Sequence, residues 1–449
     1  MALPPGPSAP SAIQLLRWIR APFPWLDECS ARFGDAFTLR LPFMPMPIVI
    51  AASPAGVKDV FGMGPDAAHA GKANVVLKPL LGEHSLLVLD GAEHLRQRKM
   101  ILPAFHGERM HAYGRTMLDM AHESIDSWPV GTPFAIHRPL QAITLQVILR
   151  TVFGIGEGPR FAELATLLSA ALEITAHPAL LFPVMQRDLG RFSPWGRFKR
   201  LGARSTEILR AAIRHGREHG TAGRTDVLAM LLDARDEAGR ALTEDEIHDE
   251  LVTLLVAGHE TTATALAWAL RWLLLDREIC DGLRDEIAGA DGDPGRIAKL
   301  ELLDATVKEA LRLQPVVPVV GRILQEPTTV GGVPLPAGIM VSPSIYLVHR
   351  RPSLYPEPNR FSPQRFLGWK PAAWEWLPFG GGLRKCVGAA FAQYEMKMVL
   401  ASVLPRIDMR LANERVRTVR RGITLAPGAG LPVVVTTKRS RESCVARAA

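Results

Sequence analysis

The sequence predicts a mainly α-helical fold with small β-sheets, an α+β class. Three observations lead there. Between about 91 and 313 the apolar spacing is mostly helical, broken only by short Pro and Gly turns. Strand-like runs cluster at about 35–52, 328–345 and 416–437. A further helix-rich portion spans about 387–404 and is stopped by Pro405.

The early strands are read at Phe37 to Leu41 and Pro47 to Ala51. The later ones lie within Thr328 to Val341, where Gly331-Gly332 marks a hairpin turn, and within Val416 to Thr437. Strand-rich portions from both ends flank one helical block, so they pair only if the chain folds back. With 449 residues, 47% of them apolar, the chain can bury a large core, and 1–449 is expected to form a single domain. No repeat or low-complexity block interrupts it.

Composition excludes several classes. Cys29, Cys280, Cys386 and Cys444 form no C-x-x-C pair, which argues against a zinc ribbon or a disulfide scaffold and suits a reducing cytoplasm. Met1 to Ser11 is Pro-rich and uncharged, unlike a signal peptide. The apolar stretch Leu251 to Leu275 carries His259, Glu260 and Arg271, so it reads as a helix buried in protein rather than a membrane anchor. A net charge of +8 fits either a basic docking face for an acidic partner or a generally basic surface. No nucleic-acid motif is present.

Leu242-Thr243-Glu-Asp-Glu246 is a capping box. Thr243 is the N-cap and Glu246 reaches back, which opens a helix running to about Leu275. A shorter helix from about Leu300 to Leu313 places Glu309 and Arg312 three apart on one face. His94 and Arg98 share a face four apart, while Arg96 and Lys99 lie off that stripe and suit an external docking surface.

The decisive segment is Phe379-Gly-Gly-Gly-Leu-Arg-Lys-Cys386-Val-Gly388, just ahead of a helix. Glycines let backbone N–H groups approach a sulfur, and the helix N-terminus favours its thiolate. The plainer alternative is a glycine turn beside an incidental cysteine. The joint placement of Phe379, Gly382, Arg384, Cys386 and Gly388 weighs against it. The segment resembles the haem-binding signature of the cytochrome P450 superfamily. Ala257-Gly258-His259-Glu260-Thr261-Thr262 resembles that family's acid–threonine helix. Glu309-Ala-Leu-Arg312 with Phe361-Ser-Pro-Gln-Arg365-Phe366 resembles its buried ion network, with Gln364 where glutamate is usual.

The resemblance implies the cytochrome P450 fold, with the long helix crossing the haem, and a soluble bacterial-type enzyme. Cys386 would be the metal ligand of haem b. Phe379 would cover the sulfur side of the macrocycle. His94, Arg98, Arg322 and Arg384 would hold the haem carboxylates, and Gly388 completes the loop. Glu260 and Thr261 would deliver protons, and Ala257 and Gly258 would leave room for the macrocycle and a diatomic ligand. Glu309, Arg312 and Arg365 would form a structural triad. His259 is expected to pack or be solvated rather than bind iron.

The pocket would draw on Leu254, Ala257, Gly258, Val316, Val317, Val319 and Leu425, with further contacts from Lys72 to Leu89 and Ile174 to Met185. It suits an apolar terpenoid, fatty acid or steroid. The implied reaction is insertion of one atom of O2. Gly428-Ala-Gly430 lacks a dinucleotide fingerprint, so electrons are expected from ferredoxin and ferredoxin reductase. A monomer is expected, with no membrane anchor. A peroxide-driven peroxygenase and a non-enzymatic haem sensor or carrier are the competing readings.

Overall fold

Thr243 starts the longest helix of the chain. Its hydroxyl accepts from the Glu246 N–H at 3.2 Å, and its own N–H donates to the Glu246 carboxylate at 2.7 Å. This central helix, Glu244–Leu275, runs 32 residues, about 48 Å at 1.5 Å per residue. The computed structural model describes every residue except 1, 43, 106–108, 155–157, 182–184 and 442–449. Cys444 and part of the Ile174 to Met185 segment lie outside the described residues.

The central helix is apolar on most of its surface because other helices surround it. His137–Thr151 packs along one side, and Glu301–Leu313 and Ala389–Arg406 along others. Leu251, Leu255, Leu266 and Leu270 meet Leu140, Ile143, Val147, Val399 and Val403 in one core. Pro405 falls within the last turn of Ala389–Arg406. There it forfeits one backbone bond without breaking the helix, so the helix ends slightly later than the sequence suggests.

The strands from the two ends of the sequence join. One five-stranded sheet runs in the order Ala36–Leu39, Ile48–Ala51, Met340–Pro343, Arg322–Leu324, Ala68–His69. Ile48–Ala51 and Met340–Pro343 are parallel, with Val49 opposite Val341. The Gly331-Gly332 turn closes Thr328–Val330 onto Val333–Leu335 with Val330 opposite Val333. A second hairpin, Thr418–Arg421 with Thr424–Pro427, lies against the central helix. Ile407–Leu411, Phe134–Ala135 and Pro432–Lys438 form a three-stranded sheet. Among the described residues no helix is long and apolar enough to cross a membrane.

Candidate active site

The cysteine loop folds back on itself before its helix begins. The Cys386 N–H donates to the Phe379 carbonyl at 3.0 Å, and the Lys385 N–H to Gly382 at 3.1 Å. Gly382 has φ +64°, and a Cβ there would lie 2.0 Å from the Phe61 carbonyl oxygen. Backbone conformation and a close neighbour therefore both demand glycine. Gly388 caps the helix Ala389–Arg406, and its N–H points at the Cys386 sulfur.

Cys386 lies deep in the fold yet keeps open side-chain surface, so the sulfur lines an internal cradle rather than packed core. Burial raises its thiol, while the Gly388 N–H, Arg98 and Lys385 pull the other way. Phe379 is half-buried, its ring edge-on to Trp376 at 6.2 Å.

His94, Arg98, Arg322 and Arg384 converge near this loop. His94 is buried and held down to about 3 by burial and then by the three arginines. Burial and then Arg384 lower Arg322 to about 10, against the pull of Asp90. Burial also lowers Arg98 and Arg384, opposed by Cys386 and Asp90 respectively. His94, Arg322 and Arg384 line a narrow, open cleft together with Phe61, Gly91 and Leu383.

Three desolvated guanidiniums against the single carboxylate of Asp90 leave an excess of positive charge that an anion would relieve. Among the described residues no cluster of His, Cys, Asp and Glu could by itself hold a metal ion. A lone cysteine sulfur beside a cationic rim therefore fits a metal group that brings its other ligands with it and carries carboxylates. Haem b meets both conditions.

On the central helix, the Thr261 hydroxyl donates to the Ala257 carbonyl at 2.6 Å. Ala257 keeps open surface although Leu255 and His259 beside it are buried. Glu260 accepts from Gln141 Nε2 at 2.6 Å and from Arg421 Nε at 3.0 Å. His259 is packed in the interior and pulled down to about 4 by burial and Arg421.

Gly258 packs against a neighbouring helix. A Cβ there would sit 2.9 Å from Ile148 Cδ1. Its missing side chain therefore answers the neighbouring helix His137–Thr151.

The pocket residues divide into two groups. Leu254, Val317 and Val319 are half-buried and retain surface. Leu425 is fully buried in the core with Phe37 and Tyr346, and Val316 is 7% exposed. Those two are joined through their backbones, the Leu425 N–H donating to the Val316 carbonyl at 2.9 Å. Arg96 and Lys99, expected on an open docking face, are already paired with Glu246 at 2.9 Å and Glu237 at 2.7 Å.

The expected ion network is assembled. Glu309 meets Arg312 at 2.6 and 2.9 Å and Arg365 at 3.1 Å. Two arginines on one carboxylate would leave donors stranded. Arg312 instead also donates to the carbonyls of His349 at 2.7 Å, Pro358 at 2.8 Å and Arg360 at 3.3 Å.

Sequence reasoning missed Arg421, Gln141 and Asp90. Asp90-Gly-Ala-Glu93 carries the signature of a capping box, which could have singled out Asp90. Its carboxylate instead accepts from the N–H groups of Gly71 at 2.8 Å and Lys72 at 2.9 Å and from Arg384 at 2.5 Å. Arg421 and Gln141 gave no local signal.

A family model described as Cytochrome P450 matches residues 4–428. The chain is similar to a relative named cytochrome P450 135B1 from Mycobacterium tuberculosis, 40% identical over 411 residues, with 91% of this chain and 86% of that one covered. Cytochrome P450 135A1 of the same organism is 37% identical over 413 residues, covering 91% and 89%. Among solved structures, the fold is similar to that of retinoic acid bound cyanobacterial CYP120A1. The TM-score is 0.84 at 24% identity, covering 97% of this chain and 100% of that one.

Proposed function

The chain belongs to the cytochrome P450 family of haem monooxygenases, and on that premise we propose that it inserts one oxygen atom from O2 into an apolar small molecule, and that Cys386 would hold the haem iron. The observation that carries the reading is the pairing of a deep, accessible Cys386 sulfur with a rim of Arg98, Arg322, Arg384 and His94 that lacks matching acids.

When bound, haem b supplies the redox chemistry and the activation of O2; the chain supplies ligation, protons and positioning. The Gly388 N–H and the start of the following helix favour the thiolate form of Cys386. Arg98, Arg322 and Arg384 would clasp the haem carboxylates, and neutral His94 would donate a hydrogen bond beside them. Thr261 holds its hydroxyl on the same helical face as open Ala257, four residues away. Released from the Ala257 carbonyl, that hydroxyl would be free to hand on a proton. Glu260, oriented by Gln141 and Arg421, resupplies that proton from the hairpin side.

Leu254, Val317 and Val319 support an apolar substrate, a terpenoid, fatty acid or steroid. The net charge of +8 supports an acidic electron donor, a ferredoxin with its reductase. Cys29, Cys280 and Cys386 are all free, which supports a reducing cytoplasm as the working compartment. The test combines purified protein with ferredoxin, ferredoxin reductase and a panel of such lipids. The expected result is a substrate-induced spectral shift and an oxygenated product that requires both proteins. Turnover with hydrogen peroxide alone, unchanged by Thr261→Ala, would establish the peroxygenase reading instead. A polar sugar or amino acid as the strongest ligand would overturn the apolar one.

A further inference from the structure

One backbone residue, Leu86, joins the central helix to the cysteine loop. Its N–H donates to Glu250 Oε1 at 2.6 Å, and its carbonyl accepts from Arg384 Nη1 at 3.0 Å. Leu86 lies in the stretch between Leu81 and Gly91, which has no helix or strand to hold it. The stretch is bolted to the central helix on one side. The His84 N–H donates to Asp249 Oδ2 at 2.9 Å, and Thr253 Oγ1 donates to Ser85 Oγ at 2.7 Å. On the other side, Arg384 also bonds Leu89 and Asp90.

Glu250 is fully buried, and its second carboxyl oxygen has no partner. A buried carboxyl is costly unless its contacts require it. It stands on the same helical stripe as Leu254, Ala257 and Thr261, at spacings of four, seven and eleven residues. The Gln97 amide, oriented to satisfy both of its ends, donates to Glu250 Oε1 at 2.9 Å and to the His84 carbonyl at 3.0 Å. Glu250 thus collects donors from two separate segments.

We propose that Glu250 is a positioning residue that fixes the Arg384 guanidinium through the Leu86 backbone, and so sets how firmly the haem carboxylates are held. The inference rests on Arg384 being one of their clamps. The carboxyl oxygen matters as an acceptor, so glutamine at 250 should serve and alanine should not.

The experiment measures haem loss from the holoprotein to an excess of a haem-scavenging protein, together with amide exchange of the 84–90 segment. Glu250→Ala is expected to speed haem loss about tenfold, the scale typical of outer-shell partners, and to expose the Leu86 amide. Glu250→Gln is expected to match wild type in both. Arg384→Ala should speed loss by itself, and adding Glu250→Ala to it should add little, the mark of two residues acting through one path. Unchanged loss in Arg384→Ala would sink the clamp reading. Fast loss there with wild-type behaviour of Glu250→Ala, or effects that multiply, would overturn the role of Glu250 alone. If Glu250→Ala does not accumulate, wild-type exchange decides. Leu86 must be as protected as the central helix, and an amide exchanging like an open loop overturns the proposal.

Discussion

The hydroxyl of Thr261 donates to the carbonyl of Ala257, one turn earlier on the central helix, at 2.6 Å. Ordinarily such a bond makes a mid-helix threonine a mere local fixture. Here the partner residue keeps open surface, which suits the proposed role of the hydroxyl in proton delivery. Thr261→Ala is expected to retain haem and bind substrate. Coupled oxygenation should fall by about 10²-fold, with hydrogen peroxide in place of product. Peroxide and product are quantified per reducing equivalent consumed, and an unchanged ratio removes Thr261 from the proton path.

Arg312 is fully buried, with Glu309 as its carboxylate partner and three carbonyls taking its remaining donors. Arg312→Ala leaves the Glu309 charge buried with Arg365 alone. A loss of about 3–5 kcal/mol is expected, seen as poor accumulation and low haem content. A variant that is fully loaded and melts like wild type would show that the network is not needed for the fold.

The Gly258 contact leads to a different test. Gly258→Ala adds a methyl group 2.9 Å from Ile148 Cδ1. Overpacking costs about 1–3 kcal/mol, and removing a mid-helix glycine returns about 1 kcal/mol. A net loss of about 1 kcal/mol is expected, relieved by adding Ile148→Val, which removes the clashing atom. Carbon monoxide binding to the reduced protein should be unaffected. Impaired binding that Ile148→Val does not restore would place Gly258 against the cofactor.

The contrast between Gly258 and Thr243 shows what was legible in the sequence. The capping box and the helix ending at Leu275 depend on neighbours within a few residues, and both were readable. The pairing of Glu309 with Arg312 was readable as a spacing, and Arg365 entered only through family resemblance. The contact of Gly258 with Ile148 was not readable because that atom belongs to another helix. Gln141 and Arg421 lie 119 and 161 residues from Glu260, and no periodicity reports such contacts. Leu86 was harder still. Its bonds to Glu250 and Arg384 use the backbone, which carries no residue signature, across separations of 164 and 298 residues.

Glu250 also gives a pH signature. Its carboxyl is pushed up to about 8, chiefly by burial, with Asp249 and Glu246 adding repulsion and the Leu86 N–H opposing them. Arg96 and Gln97 on the facing helix are engaged with Glu246 and with the Glu250 cluster. A carboxyl raised above its unfolded value of 4.5 contributes most below that value. The contribution is lost as pH climbs through about 8, because the folded state holds the proton longer. Melting of wild type and Glu250→Gln is compared from about pH 6 to 9. The glutamine variant should gain about 2 kcal/mol on wild type across that window. Parallel curves would mean that the carboxyl is not protonated in the native protein.

The most direct measurement is the carbon monoxide difference spectrum of the reduced protein with and without the sulfur at position 386. Wild type should show the thiolate-type band, and Cys386→Ser should lose it while the protein still folds. A thiolate-type band that survives Cys386→Ser, or its absence from haem-loaded wild type, would contradict ligation by Cys386.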